Sequence, residues 1–211
     1  MTPAEYDAWY DTPRGRWIGD TEFALARRML AARPGETLLD TGCGTGWFTR
    51  RFAADGLIAT GLDPNPEWLA YARAHSGPDT HWIDGDARRL PFADNSFDCV
   101  ASIAALCFIA DERQAVAEIL RVTRRRFAIG WLNSTSLLYR QKAGSGAYRG
   151  ATWHTAGELR GFFAGLPVKN LSLTSAVFLP GGGPAARTME GLMPNWLPWG
   201  ALLIAAGDKA Q

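Results

Sequence analysis

Residues 38–46 read Leu-Leu-Asp-Thr-Gly-Cys-Gly-Thr-Gly, and no other run constrains the fold as tightly. An apolar strand ends in an acid, a turn carries glycine at alternate positions, and residues 47–54 follow with a helical pattern. A strand that runs through a tight glycine turn into a helix is the opening unit of a parallel sheet with helices on its faces. The pattern then repeats. Residues 37–40, 57–62, 80–83, 98–102 and 127–132 read as strands, and residues 47–54, 67–74 and 112–122 read as helices between them. Strands alternating with helices at this spacing predict right-handed parallel crossovers. Later the pattern changes: residues 168–178 and 201–206 read as strands with no helical crossover between them, which predicts an antiparallel hairpin at one sheet edge.

The glycine turn lies at the carboxyl end of its strand, where open α/β sheets bind ligands. Absent side chains at Gly42, Gly44 and Gly46 let a ligand approach the backbone. The spacing is GxGxG, not the dinucleotide GxGxxG, and no lysine follows as in a phosphate loop. The nearest basic residues, Arg50 and Arg51, already lie in the helix, so a pyrophosphate is disfavoured as ligand. A second acid, Asp63, closes the next strand about 20 residues further on, where a carboxylate accepts from ribose hydroxyls. Alone, Asp63 reads as a cap for the helix after Pro64; beside the glycine turn, ribose binding is the better reading. A third loop, Asp84-Gly85-Asp86-Ala87, closes the next strand, and Asp86 can accept from an adenine amino group.

Composition narrows the class. The chain has 211 residues, 47% of them hydrophobic, and a formal net charge of +1, which suits one soluble α/β domain and gives no field for nucleic acid. Its three cysteines have neither metal-ligand spacing nor the makings of a disulfide framework, so no metal is expected and a reducing cytoplasm is. No signal peptide and no apolar run of about 20 residues is legible, so no membrane segment is expected. The run Arg124, Arg125, Arg126 reads as a solvated helix end.

Taken together, LLDTGCGTGWFTRRF, GLDPNPEWLAYAR, DGDARRLPFADNSFDCVAS and AEILRV resemble the motif series of class I S-adenosylmethionine-dependent methyltransferases. The likeness is strongest to the subgroup of the ubiquinone- and menaquinone-biosynthesis methyltransferases, and it covers residues 37–132. It implies a Rossmann-like, mostly parallel seven-stranded sheet with the last strand inserted antiparallel. It implies S-adenosyl-L-methionine as cofactor, with Asp40, Gly42, Cys43, Gly44 and Gly46 around the methionine part and Asp63 on the ribose. Pro64 would lie beside the adenine, Asp86 and Ala87 at its edge, and Ser102 and Ile103 under the sulfonium. The chain departs from many relatives in carrying Cys107 and Phe108 where they have histidines, which makes that edge of the acceptor pocket apolar.

The expected organisation is a single domain over 1–211, with N-terminal helices and lid in 1–34, the cofactor core in 35–132, and an acceptor-side segment with the hairpin in 133–211. Nine tryptophans exceed what one core of this size needs. Tyr6, Tyr10 and Trp196 are therefore expected to wall an apolar acceptor pocket under a lid made by residues 1–20 and 181–199, with His154 as a further acceptor-side candidate. No catalytic base is assigned. The expected activity is methyl transfer to a small, partly apolar molecule. A noncatalytic cofactor- or partner-binding protein and a nucleotide-dependent oxidoreductase are the alternatives.

Overall fold

The apolar runs do become strands, and their order fixes where a ligand can sit. In this computed structural model, which describes residues 1–210, the element order is α1 (Pro3–Trp9), α2 (Pro13–Leu30), β1 (Thr37–Thr41), α3 (Trp47–Ala54), β2 (Ile58–Asp63), α4 (Pro66–Ala74), β3 (His81–Asp84) and β4 (Phe97–Ile103). After these come α5 (Glu112–Val122), β5 (Thr123–Leu132), α6 (Leu137–Lys142), α7 (Ala156–Phe162), β6 (Val168–Ala176), α8 (Pro184–Leu192) and β7 (Leu202–Lys209). The seven strands form one sheet in the order β3-β2-β1-β4-β5-β7-β6. The first five run parallel, while β7 is antiparallel to both β5 and β6. The order reverses between β1 and β4, so a crevice opens beyond their carboxyl ends.

Both faces of the sheet are covered, which is why the central strands are apolar at nearly every position. On one face, Leu38, Cys99, Ala101, Ala128 and Ile204 pack against Ile18, Leu25, Ala26, Met29 and Leu30 of α2 and Phe52 of α3. On the other, Leu39, Val100, Phe127, Ile129 and Leu203 pack against Val116 and Ile119 of α5 and Leu159 of α7. Alternate residues along β1, β4 and β5 thus feed opposite faces. Each fully buried leucine or isoleucine contributes roughly 1.5–3 kcal/mol.

Four sequence expectations need correction. The sequence reads as a short helix over 3–10 broken by Pro13 and Gly15, with the next helix over 21–31, but α1 ends at Trp9 and Pro13 already begins α2, eight residues early. Thr12 caps it by accepting from Gly15 N, and a proline at the first helical position loses no hydrogen bond. The arginine run lies in β5 and not at a helix end. There Arg124 pairs with Asp98 at 2.6 Å, Arg125 with Glu36 at 2.7 Å and Arg126 with Asp208 at 2.6 Å, a ladder across the end of the sheet remote from the crevice. Residues 181–199, rich in glycine, proline and tryptophan, read as irregular in the sequence, but Pro184 starts α8. Residues 137–142, for which no element was expected, form α6, with Ser136 accepting from Tyr139 N. No helix among the described residues is long and apolar enough to cross a membrane.

Candidate functional site

At the carboxyl ends of β1, β2 and β4 the sheet opens into a cavity of about 750 Å³. The glycine loop is its floor. Gly42 N and Cys43 N both donate to Leu62 O, at 2.7 and 3.0 Å, which ties the loop to the end of β2. Gly44 N then donates to Asp63 Oδ2 at 2.9 Å, and Asn65 N donates to Asp63 Oδ1 at the same distance. One carboxylate therefore joins two ligand-facing loops. Burial pushes the Asp63 carboxyl up, while these two donors pull it down.

The glycines are needed for packing as much as for access. At Gly46 (φ +78°) a Cβ would stand 2.2 Å from the Trp82 ring, and at Gly42 (φ +75°) it would stand 2.4 Å from Ala105 Cβ. Gly44 is backed by Trp68. The space freed by the missing side chains is thus filled largely by the protein's own residues, and the loop is held flat from behind.

Asp40, at the end of β1, is 2% exposed and accepts from Thr49 Oγ1 at 2.6 Å. Burial raises its carboxyl to about 7, against the pull of Thr49 and with a further push from Asp63. Asp86 also reaches the cavity, but its carboxylate is taken up by Arg88, whose Nε and Nη2 donate at 3.0 and 2.6 Å. The Arg88 contacts hold the Asp86 carboxyl below its usual range. Ala87, beside it, is on the wall.

The structure brings Asp40, Gly42, Cys43, Gly44, Asp63, Pro64, Asp86, Ala87, Ile103, Tyr6 and Tyr10 to one cavity. It leaves four expected residues outside that wall. Gly46 lies one turn beyond, against Trp82. Ser102 is fully buried behind the loop, donating to Thr41 O at 2.8 Å. Trp196 is 72% exposed, although its neighbour Asn195 is pinned to β6, accepting from Ser175 N at 2.7 Å. His154 is buried and engaged elsewhere: its Nε2 lies 2.9 and 3.0 Å from the Glu112 carboxylate oxygens, and Glu112 also accepts from Trp131 Nε1 at 2.7 Å. With His154 N donating to Leu132 O, this group braces the end of β5.

The wall also holds Phe108, expected at an apolar edge of the pocket, and residues the sequence reading passed over, notably Trp47, Phe48 and Trp68. Trp47 and Phe48 begin α3, and Trp68 lies in the first turn of α4. Each follows directly on a ligand-facing loop, a positional signal that was available. Tyr10 stacks on Trp47 with ring centroids 4.1 Å apart, and Tyr6 leans on Trp68 at 5.0 Å. Helix α1 is thus plastered over the cavity by aromatic contacts, and Arg50 clamps it by donating to Asp7 at 3.0 and 3.2 Å. Residues 181–199 contribute nothing to this wall. They instead buttress α2: Arg14 donates to Pro180 O at 2.7 Å and Arg187 to Pro13 O at 3.2 Å.

Residues 39–126, the stretch that builds this cavity floor, match the family described as a methyltransferase domain. The match and the sheet order make this stretch part of a class I S-adenosylmethionine-dependent methyltransferase domain. A malonyl-[acyl-carrier protein] O-methyltransferase from Erwinia pyrifoliae is 42% identical to this methyltransferase domain over 100 residues, 46% of this chain and 38% of that one. An uncharacterized protein of Mycobacterium tuberculosis is 37% identical over 174 residues, 76% of this chain and 56% of the other. The chain therefore spans about half the length of these curated relatives, or less. Among solved structures, a SAM-dependent methyltransferase of Thermotoga maritima shares the fold at a TM-score of 0.72, covering 98% of this chain and 95% of its own at 19% identity.

Proposed function

We propose that this domain binds S-adenosyl-L-methionine across the β1, β2 and β3 loops and directs its methyl group to a small, partly apolar acceptor beneath α1. One observation carries the reading. The cavity offers the carboxylates of Asp40, Asp63 and Asp86 along one side, and its single cationic side chain, Arg88, is already paired with Asp86. Such a site suits a cofactor with a sulfonium, an ammonium and a ribose and no phosphate. Asp63 would hold the ribose hydroxyls, Asp40 would face the cationic methionine part, and Ala87 would sit at the adenine edge.

When bound, S-adenosylmethionine supplies an electrophilic methyl group on a good leaving group. The chain's own task is then alignment and the exclusion of water. Tyr6, Tyr10, Phe48 and Phe108 give the cavity an apolar wall opposite the acids, and α1 roofs it. The balanced net charge of +1 favours a small molecule over nucleic acid as acceptor. Free Cys43, Cys99 and Cys107 agree with work in the cytoplasm.

Titration calorimetry tests the cofactor reading. S-adenosylmethionine and its demethylated product S-adenosylhomocysteine should bind, and NAD should give little heat. Clear NAD binding with no response to either sulfur compound would overturn it.

A further inference from the structure

The net charge of +1 conceals an uneven division. Counting Lys and Arg, residues 1–118 carry eleven cations against eighteen acids, and residues 119–211 carry eleven against three. From residue 119 to residue 189 the only acid is Glu158. Part of the excess is neutralised within the fold, where Arg121, Arg124, Arg125 and Arg126 pair with Glu118, Asp98, Glu36 and Asp208.

Arg140, Lys142 and Arg149 are different. All three are exposed, and among the described residues none makes an ion pair or a side-chain hydrogen bond. Short turns hold them together: Ser145 N donates to Lys142 O at 3.0 Å, Tyr148 N to Ser145 O at 3.1 Å and Arg149 N to Gly146 O at 3.3 Å. Tyr139 and Tyr148 both pack on Trp153, with ring centroids 5.3 and 5.5 Å apart. Thr152 N then donates to Cys107 O at 2.7 Å, which fastens the segment beside Phe108. Phe108 and Ala147 both line the cavity, so these cations stand at its rim.

Apolar side chains are exposed along the same rim. Phe108 is 52% exposed, and Leu137 and Tyr139 of α6 are each more than a third exposed. Asn133 Nδ2 and Thr135 Oγ1 donate to Pro198 O at 2.9 and 2.6 Å, which brings the half-exposed Trp199 to the start of α6. Trp196 precedes Pro198 by two residues.

We propose that α6, residues 143–150 and the turn at 196–199 form a face that docks on an anionic phospholipid surface. Arg140, Lys142 and Arg149 meet the lipid phosphates, and Tyr139, Trp196 and Trp199 lie at the headgroup level. Interleaved aromatic, aliphatic and basic side chains in an acid-free stretch suit that boundary. Leu137 offers a nucleobase no ring to stack on, whereas the edge of the acyl layer accepts it. Because Phe108 and Ala147 belong to both rim and cavity wall, an apolar acceptor reaches the cavity from the lipid without crossing open water. That route rests on the methyl-transfer reading; the docking does not.

Vesicle flotation of the full chain tests the docking, with phosphatidylcholine alone and with phosphatidylcholine mixed with phosphatidylglycerol. Binding should require the anionic lipid and weaken as salt rises. Each cation at such a surface strengthens attachment roughly fivefold, so R140Q/K142Q should weaken it at least tenfold. R28Q/R33Q removes the same charge from exposed positions at the end of α2 remote from the crevice, and should change binding about twofold or less. S-adenosylhomocysteine affinity, read by calorimetry, should be unchanged in both variants. Failure of the wild-type protein to bind anionic vesicles overturns the proposal, as does an equal loss in R28Q/R33Q. Salt-sensitive capture of polyglutamate or single-stranded RNA in preference to the vesicles also overturns it, and assigns the face to an acidic protein or to RNA. Vesicle binding without S-adenosylhomocysteine binding upholds the docking and sinks the methyl-transfer reading instead.

Discussion

Asp63 shows how one side chain serves structure and ligand together. Its two oxygens are each already engaged by a loop N–H, from Gly44 and from Asn65. Removing the carboxylate therefore does more than delete a ribose contact, since it leaves a part-buried Gly44 N–H without a partner. Asp63→Ala should weaken S-adenosylhomocysteine binding about tenfold or more and also lower stability by roughly 1–3 kcal/mol. Paired calorimetry and thermal melts would check this; unchanged affinity in a folded variant would reduce Asp63 to a cap. The acid was legible because it ends an apolar strand about 20 residues past a glycine turn. The true place of His154 was not legible, because its partner Glu112 lies 42 residues earlier and only the fold brings them together.

At the scale of elements, the mode of closure is the main finding. A lid of residues 1–20 and 181–199 was expected, but α1 alone reaches the cavity wall while α8 and its flanks brace α2. Gly19 is the contact on which α1 seats. Alanine in a helix interior is worth roughly 1 kcal/mol over glycine, yet a Cβ here would lie under 3.0 Å from both Trp47 and Tyr10. The collision should win. Gly19→Ala is expected to cost roughly 1–3 kcal/mol, by analogy with other overpacked sites. Amide hydrogen exchange in residues 3–10 should speed up, and a raised melting temperature with unchanged exchange there would contradict this. The core strands were readable because their apolar runs are bounded by glycine, proline and acids. The start of β5 was not, since Arg124, Arg125 and Arg126 are strand residues only by virtue of acids contributed by β4, the residue before β1, and β7.

Across the whole molecule, stability and ligand binding pull in opposite directions at the crevice. Well below pH 3.8, Asp40 is protonated in both folded and unfolded chains. As pH rises, the unfolded chain gives up that proton near 3.8, whereas burial holds it on the folded chain to about 7. Asp40 therefore costs stability progressively between those values, by at most ~4 kcal/mol. Asp40→Asn should gain on the wild type over that window, as urea unfolding at pH 4, 5.5 and 7 would show; parallel pH profiles would refute it. The parallel order and the late hairpin were readable from the alternation of elements, but the seating of α2 was not. That helix packs on β5, β6 and β7, with Ile18, Leu25 and Met29 against Leu202, Ile204 and Ala176. A ribosome delivers residues 202–209 on the order of ten seconds after residues 13–30, at about 5–20 residues per second. For that interval α2 can rest on β4 and β5 but lacks the part of its seat that β6 and β7 supply. The amount of working protein a cell obtains then depends on what shelters the uncovered part of α2 during translation, because that part is covered only once β6 and β7 emerge.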